Sequence, residues 1–392
     1  MIKGYKYRIY PNKKQEELIQ KTFGCCRFIY NHTLSYRQEL YKGKQENMNK
    51  FSCNNYVNQV LKKKYEWLKE VDKFALTNSV WNMDNAYQKF FKEHKGFPKF
   101  KSKKHNRKSY TTDFSNNNIK VSFENNNVKL PKLKWIKSKL HRRFDGKIKK
   151  ATILQTPSGK YFVSFVIDTE HIPIKSVGGI IGIDLGVKDL LVTSNGDKIN
   201  NIRTTKKYEK KLAKGQRSLS RKVKGSRNFN KQRIKVAKIH KKIHNTRIDH
   251  LHKISHKLIN ENQVIVSEDL SVSNMVENSS FSKHILDCGW YELTRQISYK
   301  AEWNNRQYIK IDRFAKTSQI CNICGYVNPE VKDLSVRKWV CHNCNSTHDR
   351  DINAAKNILK KGINKINKTA GTAGLACVNL SIKDIEQEAH RL

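Results

Sequence analysis

Two cysteine pairs, Cys321-Asn-Ile-Cys324 and Cys341-His-Asn-Cys344, stand sixteen residues apart. His348-Asp349-Arg350-Asp351-Ile-Asn-Ala-Ala follows almost at once. Four thiolates at this spacing suit a zinc ion and close its tetrahedral shell, leaving no position for a substrate. The spacing therefore predicts an architectural metal bound by Cys321, Cys324, Cys341 and Cys344. His342 and His348 are expected beside the cluster or at the surface. Asp351 opens a helix next to the staple, which makes it a candidate for catalysis.

Two more acids end apolar runs: Asp184 in Gly-Gly-Ile-Ile-Gly-Ile-Asp and Glu268 in Gln-Val-Ile-Val-Ser-Glu. Hard carboxylate oxygens bind Mg2+, and a pair of such ions can activate water and stabilise the leaving oxygen of a phosphodiester. Asp184, Glu268 and Asp351 are thus candidate catalytic and magnesium-binding residues. Asp189, Asp269 and Asp349 are close rivals, and spacing alone does not bring the three together.

The substrate class follows from charge. The 392 residues carry 78 Lys and Arg against 34 Asp and Glu, a formal net charge of +44. Such a field attracts polyanions, nucleic acid foremost. No run reaches the ~20 apolar residues of a spanning helix, and the first residues lack a secretory signal's apolar core, so no membrane partner is expected. Of nine cysteines, four have metal spacing, Cys25 and Cys26 are adjacent, and Cys53, Cys288 and Cys377 stand alone. That is a reduced pattern, and a cytoplasmic location is the expectation.

The elements that must position these groups are partly legible. Residues 2–9 alternate as a strand, Asn12 caps a helix, Gly24 punctuates it, and a second helix follows. Helical stretches come at about 52–68 and 74–94, and Tyr30 of the earlier helix, with Trp81, Tyr87 and Phe90 of the later one, has core spacing. Strands follow at 108–114, 119–123, 127–130, 147–155 and 160–168. The first strand either joins this β-module, with the helices as an insertion, or belongs to a separate neighbouring domain. From Gly178 a hairpin opens an α/β sheet. Residues 203–257 hold 20 Lys or Arg and two acids, Glu209 and Asp249. They read as two helices split at Gly225, the second with an apolar stripe at Val236, Ile239, Ile243, Leu251, Ile254 and Leu258 and a basic outer face. Residues 286–308 look helical and 309–314 extended. The chain from Gly362 reads as a loosely ordered tail.

Together, Ile-Gly-Ile-Asp184-Leu-Gly-Val-Lys, Ser-Glu268-Asp-Leu, the cysteine clamp and His-Asp-Arg-Asp351-Ile-Asn-Ala-Ala-Lys-Asn-Ile resemble the RuvC-type nuclease core of the TnpB family. These are RNA-guided DNA endonucleases encoded by insertion-sequence transposons and similar to type V CRISPR effectors. Tyr-Arg-Ile-Tyr-Pro-Asn, Arg27-Phe-Ile-Tyr-Asn-His, Gly96-Phe-Pro-Lys-Phe-Lys and Lys316-Thr-Ser-Gln-Ile-Cys extend the resemblance over most of residues 1–360.

The resemblance implies an α+β multidomain protein. Residues 1–10 and 95–175 would form a wedge-type β-barrel, with 11–94 as a helical recognition insertion. Residues 176–316 and 350–361 would form an RNase H-like nuclease, 317–349 the zinc module and 362–392 a flexible tail. It implies Asp184, Glu268 and Asp351 as the acids of Mg2+-dependent cleavage, with a guide RNA and double-stranded target DNA as partners and one protein per guide. None of the three acids is replaced, unlike a nuclease-dead repressor. The one departure is Ser267 before Glu268, where a small or apolar residue is more usual. Residues 70–77 resemble the segment that reads a motif beside the target, so Lys73, Thr77 and Thr112 are candidate DNA contacts. The rivals are a guide-free nuclease such as a junction resolvase, a transposition accessory or repressor using 11–41 as a helix-turn-helix, and a strand-transferring transposase.

Overall fold

The computed structural model describes residues 1–104, 107–175, 178–277 and 281–370 in two compact units, Met1–His171 and Ile172 onward. Each is built around its own sheet.

In the first unit β1 (Ile2–Tyr10) is followed by α1 (Lys13–Lys44), α2 (Lys50–Tyr56), a π turn at Val57–Leu61, α3 (Lys62–Lys64), a 3-10 turn at Glu66–Glu70 and α4 (Lys73–Glu93). Six strands complete it: β2 (Lys108–Asp113), β3 (Lys120–Ser122), β4 (Asn127–Leu130), β5 (Lys134–Lys139), β6 (Lys147–Gln155) and β7 (Tyr161–Asp168). The strand order is β2-β6-β7-β1-β5-β4-β3. β1 lies antiparallel between β7 (Arg8 opposite Phe162) and β5 (Arg8 opposite Lys139), so α1 to α4 are an excursion between two strands of one sheet. Tyr110 of β2 and Val121 of β3 pack into the same core as Tyr7, Val163 and Phe165, so the sheet curls around one interior although β2 and β3 remain its edges.

Asn12 and Gln15 form a reciprocal capping box, and the Gln15 amide also donates to the carbonyls of Leu133 and Trp135, each at 2.9 Å. The expected break at Gly24 is absent. Phe23 and Cys26 pack on the sheet core while Cys25 and Ile29 pack into the helical core, and this burial on both sides outweighs the ~1 kcal/mol propensity cost of a helical glycine. A single 32-residue helix therefore replaces the two expected. Tyr30 and Tyr87 are core residues, as their spacing predicts.

In the second unit β8 (Ile180–Asp184), β9 (Asp189–Thr193) and β10 (Lys198–Asn200) precede the basic helices α5 (Thr204–Ser220) and α6 (Arg227–Glu261). Then come β11 (Val264–Glu268), α7 (Val272–Glu277), α8 (Ser282–Cys288), α9 (Trp290–Trp303) and β12 (Gln307–Ile311). A 3-10 turn at Pro329–Lys332, β13 (Lys338–Val340), β14 (Thr347–Asp349) and α10 (Arg350–Ala370) close the unit. The sheet runs β10-β9-β8-β11-β12, with β8, β11 and β12 parallel and β9 and β10 antiparallel. α6, α8 and α9 bury one face and α10 the other.

Two expectations need correction. The helix expected over 286–308 is α8 and α9, separated at Gly289 (φ +70°), and the chain is extended again from Gln307. The tail expected from Gly362 is helical to Ala370, because Ile363 packs against the sheet. Residues 371–392 lie outside the described residues. Among the described residues no helix is long and apolar enough to cross a membrane.

Candidate metal centre and carboxylate site

Each cysteine pair sits on a tight turn. Gly325 (φ +80°) lets its N–H reach the Cys321 carbonyl at 3.0 Å, and Asn345 (φ +55°) repeats this on Cys341 at 2.9 Å. The four sulfurs converge, with Cys321 Sγ 3.7 Å from Cys344 Sγ and Cys324 Sγ 3.5 Å from Cys341 Sγ. Among the described residues this is the group whose His, Cys, Asp or Glu ligand atoms, three or more, lie within 4.8 Å of one another. His348 is buried against Trp339, and its Nε2 lies 3.1 Å from Cys321 Sγ, so it supports the cluster from outside. His342 is exposed.

The three acids meet at one end of the second sheet. β8 and β11 are parallel neighbours with Ser267 opposite Ile183, so Asp184 and Glu268 end adjacent strands on the same side. Carboxyl ends of parallel strands are the usual ligand-binding edge of such sheets. α10 lies against β8 with the Ala355 carbonyl over Gly182. Asp351, one helical turn before Ala355, therefore faces the end where Asp184 emerges.

Electrostatics separates Asp184 and Glu268 from Asp269 and Asp349. Burial, then the charges of Glu268 and Asp351, push the Asp184 carboxyl up to about 7. Burial also raises Glu268, partly offset by a 2.6 Å hydrogen bond from Thr317 Oγ1. Asp269 is held below the usual range by Lys310 at 2.9 Å and Arg313 at 3.2 Å. Asp349, despite partial burial, is held low by Lys198 at 2.6 Å, and it caps α10 by accepting from the backbone N–H groups of Asp351 and Ile352. Asp269 and Asp349 are neutralised by paired cations, whereas Asp184 lacks enough positive charge to offset its two neighbours.

Sequence reasoning missed four residues around the acids. They are Thr317, the pair Asn353 and Asn357 on α10, and Arg337, whose Nη1 lies 3.6 Å from Asp351 Oδ1. An asparagine pair at i, i+4 inside Ile-Asn-Ala-Ala-Lys-Asn-Ile was the available signal for two of them. Ser267, the departure before Glu268, is fully buried and shares a 2.7 Å hydrogen bond with Tyr308 Oη, which gives its hydroxyl a partner. A groove of about 1050 Å3 runs from Glu268 past Tyr291, Tyr299 and Tyr308, with Arg295, Lys310 and Lys365 along it.

The motif-reading candidates divide. Lys73 is exposed at the start of α4, and Thr77 sits one turn on, its hydroxyl donating to the Lys73 carbonyl at 3.3 Å. Lys73 lines a recess of about 490 Å3 with Lys62, Lys69, Asn118 and Lys132. Thr112 is fully buried on β2 against the Asp72 carboxyl. It has no surface to offer a base, and the inward face of an alternating strand explains why.

Residues 164–279 match a family model described as "Probable transposase" (OrfB of IS605), and residues 290–358 match a "Cas12f1-like, TNB domain". Residues 1–46 match a "Helix-turn-helix domain", although here they form a strand and one unbroken helix. Among relatives that carry the name "Putative RNA-guided DNA endonuclease", two span most of the chain. The one from Streptomyces pristinaespiralis is 34% identical over 92% of this chain and 89% of its own length. InsQ of Escherichia coli K12 is 32% identical over 96% of this chain and 94% of its own. Among solved structures, a Cas12f1 complex with guide RNA and target DNA is similar in fold, with a TM-score of 0.62 and 15% identity over 91% of this chain and 98% of that one. The chain therefore belongs to the transposon-encoded OrfB family of IS605-type elements, the TnpB-like proteins.

Proposed function

We propose that this protein is an RNA-guided DNA endonuclease of an insertion-sequence transposon. It binds a guide RNA from the transposon end and cuts double-stranded DNA beside a short adjacent motif. In this reading the first unit is a wedge-type barrel with α1 to α4 as its recognition insertion. The second is a RuvC-like nuclease carrying a structural zinc module. Supporting this are the 34%- and 32%-identical relatives named as such endonucleases and the basic face of α5 and α6.

The observation that carries the catalytic assignment is geometric: Asp184 and Glu268 end adjacent parallel strands, α10 brings Asp351 to the same end, and the crowding of like charge there, with burial, raises the Asp184 carboxyl. Such a cluster fits divalent cations, which would relieve the repulsion that raises it. Asp184, Glu268 and Asp351 would hold Mg2+, which when bound supplies charge neutralisation and an activated water for phosphodiester hydrolysis. The chain's own groups do the positioning. Thr317 orients Glu268, Asp349 fixes the first turn of α10, and Arg337 stands beside Asp351, where it can contact a phosphate. The groove of tyrosines and cations leading from Glu268 suits one unpaired strand, whose bases stack on aromatic rings while its phosphates meet Arg and Lys. One site of this kind acts on the two strands in turn. Lys73 and Thr77 are the proposed readers of the adjacent motif, Lys73 as the charged contact.

Sequencing the RNA that co-purifies with protein expressed alongside its downstream flank tests the reading. One abundant species with a constant part and a flank-matching end is expected. A random mixture removed by moderate salt would leave a guide-free nuclease or repressor.

A further inference from the structure

The zinc module and the carboxylate site are joined by a continuous hydrogen-bond path. Asn322, inside the first cysteine turn, donates its N–H to Asn353 Oδ1 at 3.0 Å. The Asn353 amide donates to the Ile320 carbonyl at 2.8 Å and to Ser318 at 3.3 Å. One turn on, the Asn357 amide donates to the same Ile320 carbonyl at 2.6 Å and to the Thr317 carbonyl at 2.8 Å. Thr317 then donates its hydroxyl to Glu268 Oε1 at 2.6 Å. Asn353, Asn357 and Thr317 are all buried.

We infer that Thr317 is a positioning residue for Glu268, and that the asparagine pair of α10 lets the zinc module set it in place. This rests on the reading of Glu268 as a catalytic carboxylate. Glu268 ends a strand, and its backbone fixes only where the side chain starts. Asp184 and Asp351, by contrast, have short side chains with one fewer torsion each. A glutamate needs an outside partner to hold one carboxylate oxygen, and that partner is the Thr317 hydroxyl. Thr317 lies in the stretch between β12 and the first cysteine, where ladder hydrogen bonds do not fix it. Its carbonyl is held by Asn357, and the next anchor is the cysteine turn itself. The zinc module thus acts at a distance from the acids by tensioning one short segment, and the i, i+4 asparagines are buried because each amide bridges helix and segment.

The same path explains why Asn353 and Asn357 interrupt the apolar face of α10. Their neighbours Ala354, Ala355 and Ile358 are buried against the unit's core. Two buried amides on such a helix cost stability unless their hydrogen bonds are made, and here they are made to the segment that carries Thr317.

The test uses the full-length protein with its guide RNA. Thr317→Val removes the hydroxyl at constant shape, Thr317→Ser keeps it, and Thr317→Ala is the alternative should valine prevent folding. At saturating RNA and target, Thr317→Val or Thr317→Ala is expected to cut about tenfold or more slowly, and Thr317→Ser within about threefold of wild type, as for removed supporting partners elsewhere. Guide-RNA affinity and zinc content stay unchanged. Mn2+ binding to the uncut complex, read by electron paramagnetic resonance, weakens in step with the rate. Asn357→Ala keeps its zinc but loses rate similarly. Wild-type cutting by the valine and alanine variants, or a serine variant as slow as valine, overturns the inference. Loss of guide binding together with rate also overturns it, since a merely structural threonine would behave so. Glu268→Gln separates this from failure of the underlying reading: if that variant still cuts, the catalytic assignment falls, whereas if it is dead and Thr317→Val is normal, only the positioning role falls.

Discussion

The Ala355 carbonyl of α10 lies over Gly182 of β8 so closely that a Cβ on Gly182 would sit 2.3 Å from it. Helix and strand approach to backbone contact, and this sets how far Asp351 stands from Asp184. The glycine is required by space, since its backbone is ordinary extended strand. Gly182→Ala should push α10 outward and separate the acids. The expected result is cutting reduced at least tenfold with guide binding retained, and stability lowered by ~1–3 kcal/mol as overpacking. A cleavage time course beside a thermal melt checks it.

Asp184 predicts a stability difference that runs against activity. Its carboxyl is raised from 3.8 to about 7, so the folded protein binds more protons than the unfolded chain within that window. Stability from this group is therefore full below the lower value and lost as pH rises through the upper one. In a buffer without free divalent ions, Asp184→Asn should melt above wild type at pH 8, by on the order of 2 kcal/mol once partial solvent screening is discounted. The difference should vanish near pH 4. Equal melting at pH 8 would mean that the charge cluster is already relieved.

Cys341→Ser removes a buried sulfur from the quartet. Bound zinc should fall from about one per chain to none, because a three-thiolate remnant binds far more weakly. Limited proteolysis should then open residues 317–349 first, with cutting lost and guide binding kept. Metal analysis and peptide mapping report both.

Lys73→Ala should weaken binding to targets that carry the adjacent motif, about tenfold for a lost charged contact. It should leave guide affinity unchanged. Thr112→Val, at a buried site, should leave motif preference as it is. A binding assay over a library of flanking sequences compares the two.

Much of the carboxylate end was legible because an apolar run that stops at an acid is a local signal. Asp184 and Glu268 both announce themselves so, and the N-cap Asn12 announces the start of α1. What escaped depends on contacts between distant segments. β5 was missed because Lys134-Trp-Ile-Lys-Ser-Lys139 buries only Ile136 and Ser138 while Trp135 is exposed, which blurs its alternation. Gly24 misled because burial on two sides overrides its propensity. The helix expected to 308 overran because Tyr308 kept the apolar period past Asn305, where φ of +52° reverses the chain. Thr317 gave no signal, since its partners are far away in sequence. Thr112 shows the opposite error, in which a residue singled out by family likeness alone turned out to face inward.

The central claim is that a guide-programmed protein cuts DNA with Asp184, Glu268 and Asp351. The most direct measurement is cleavage of a supercoiled plasmid, bearing a matched target and its adjacent motif, by the purified RNA complex with Mg2+. Wild type should linearise it, while Asp184→Ala and Asp351→Ala should bind the target equally and leave it uncut. Linearisation by either variant, or cutting of a plasmid lacking the match, would contradict the account.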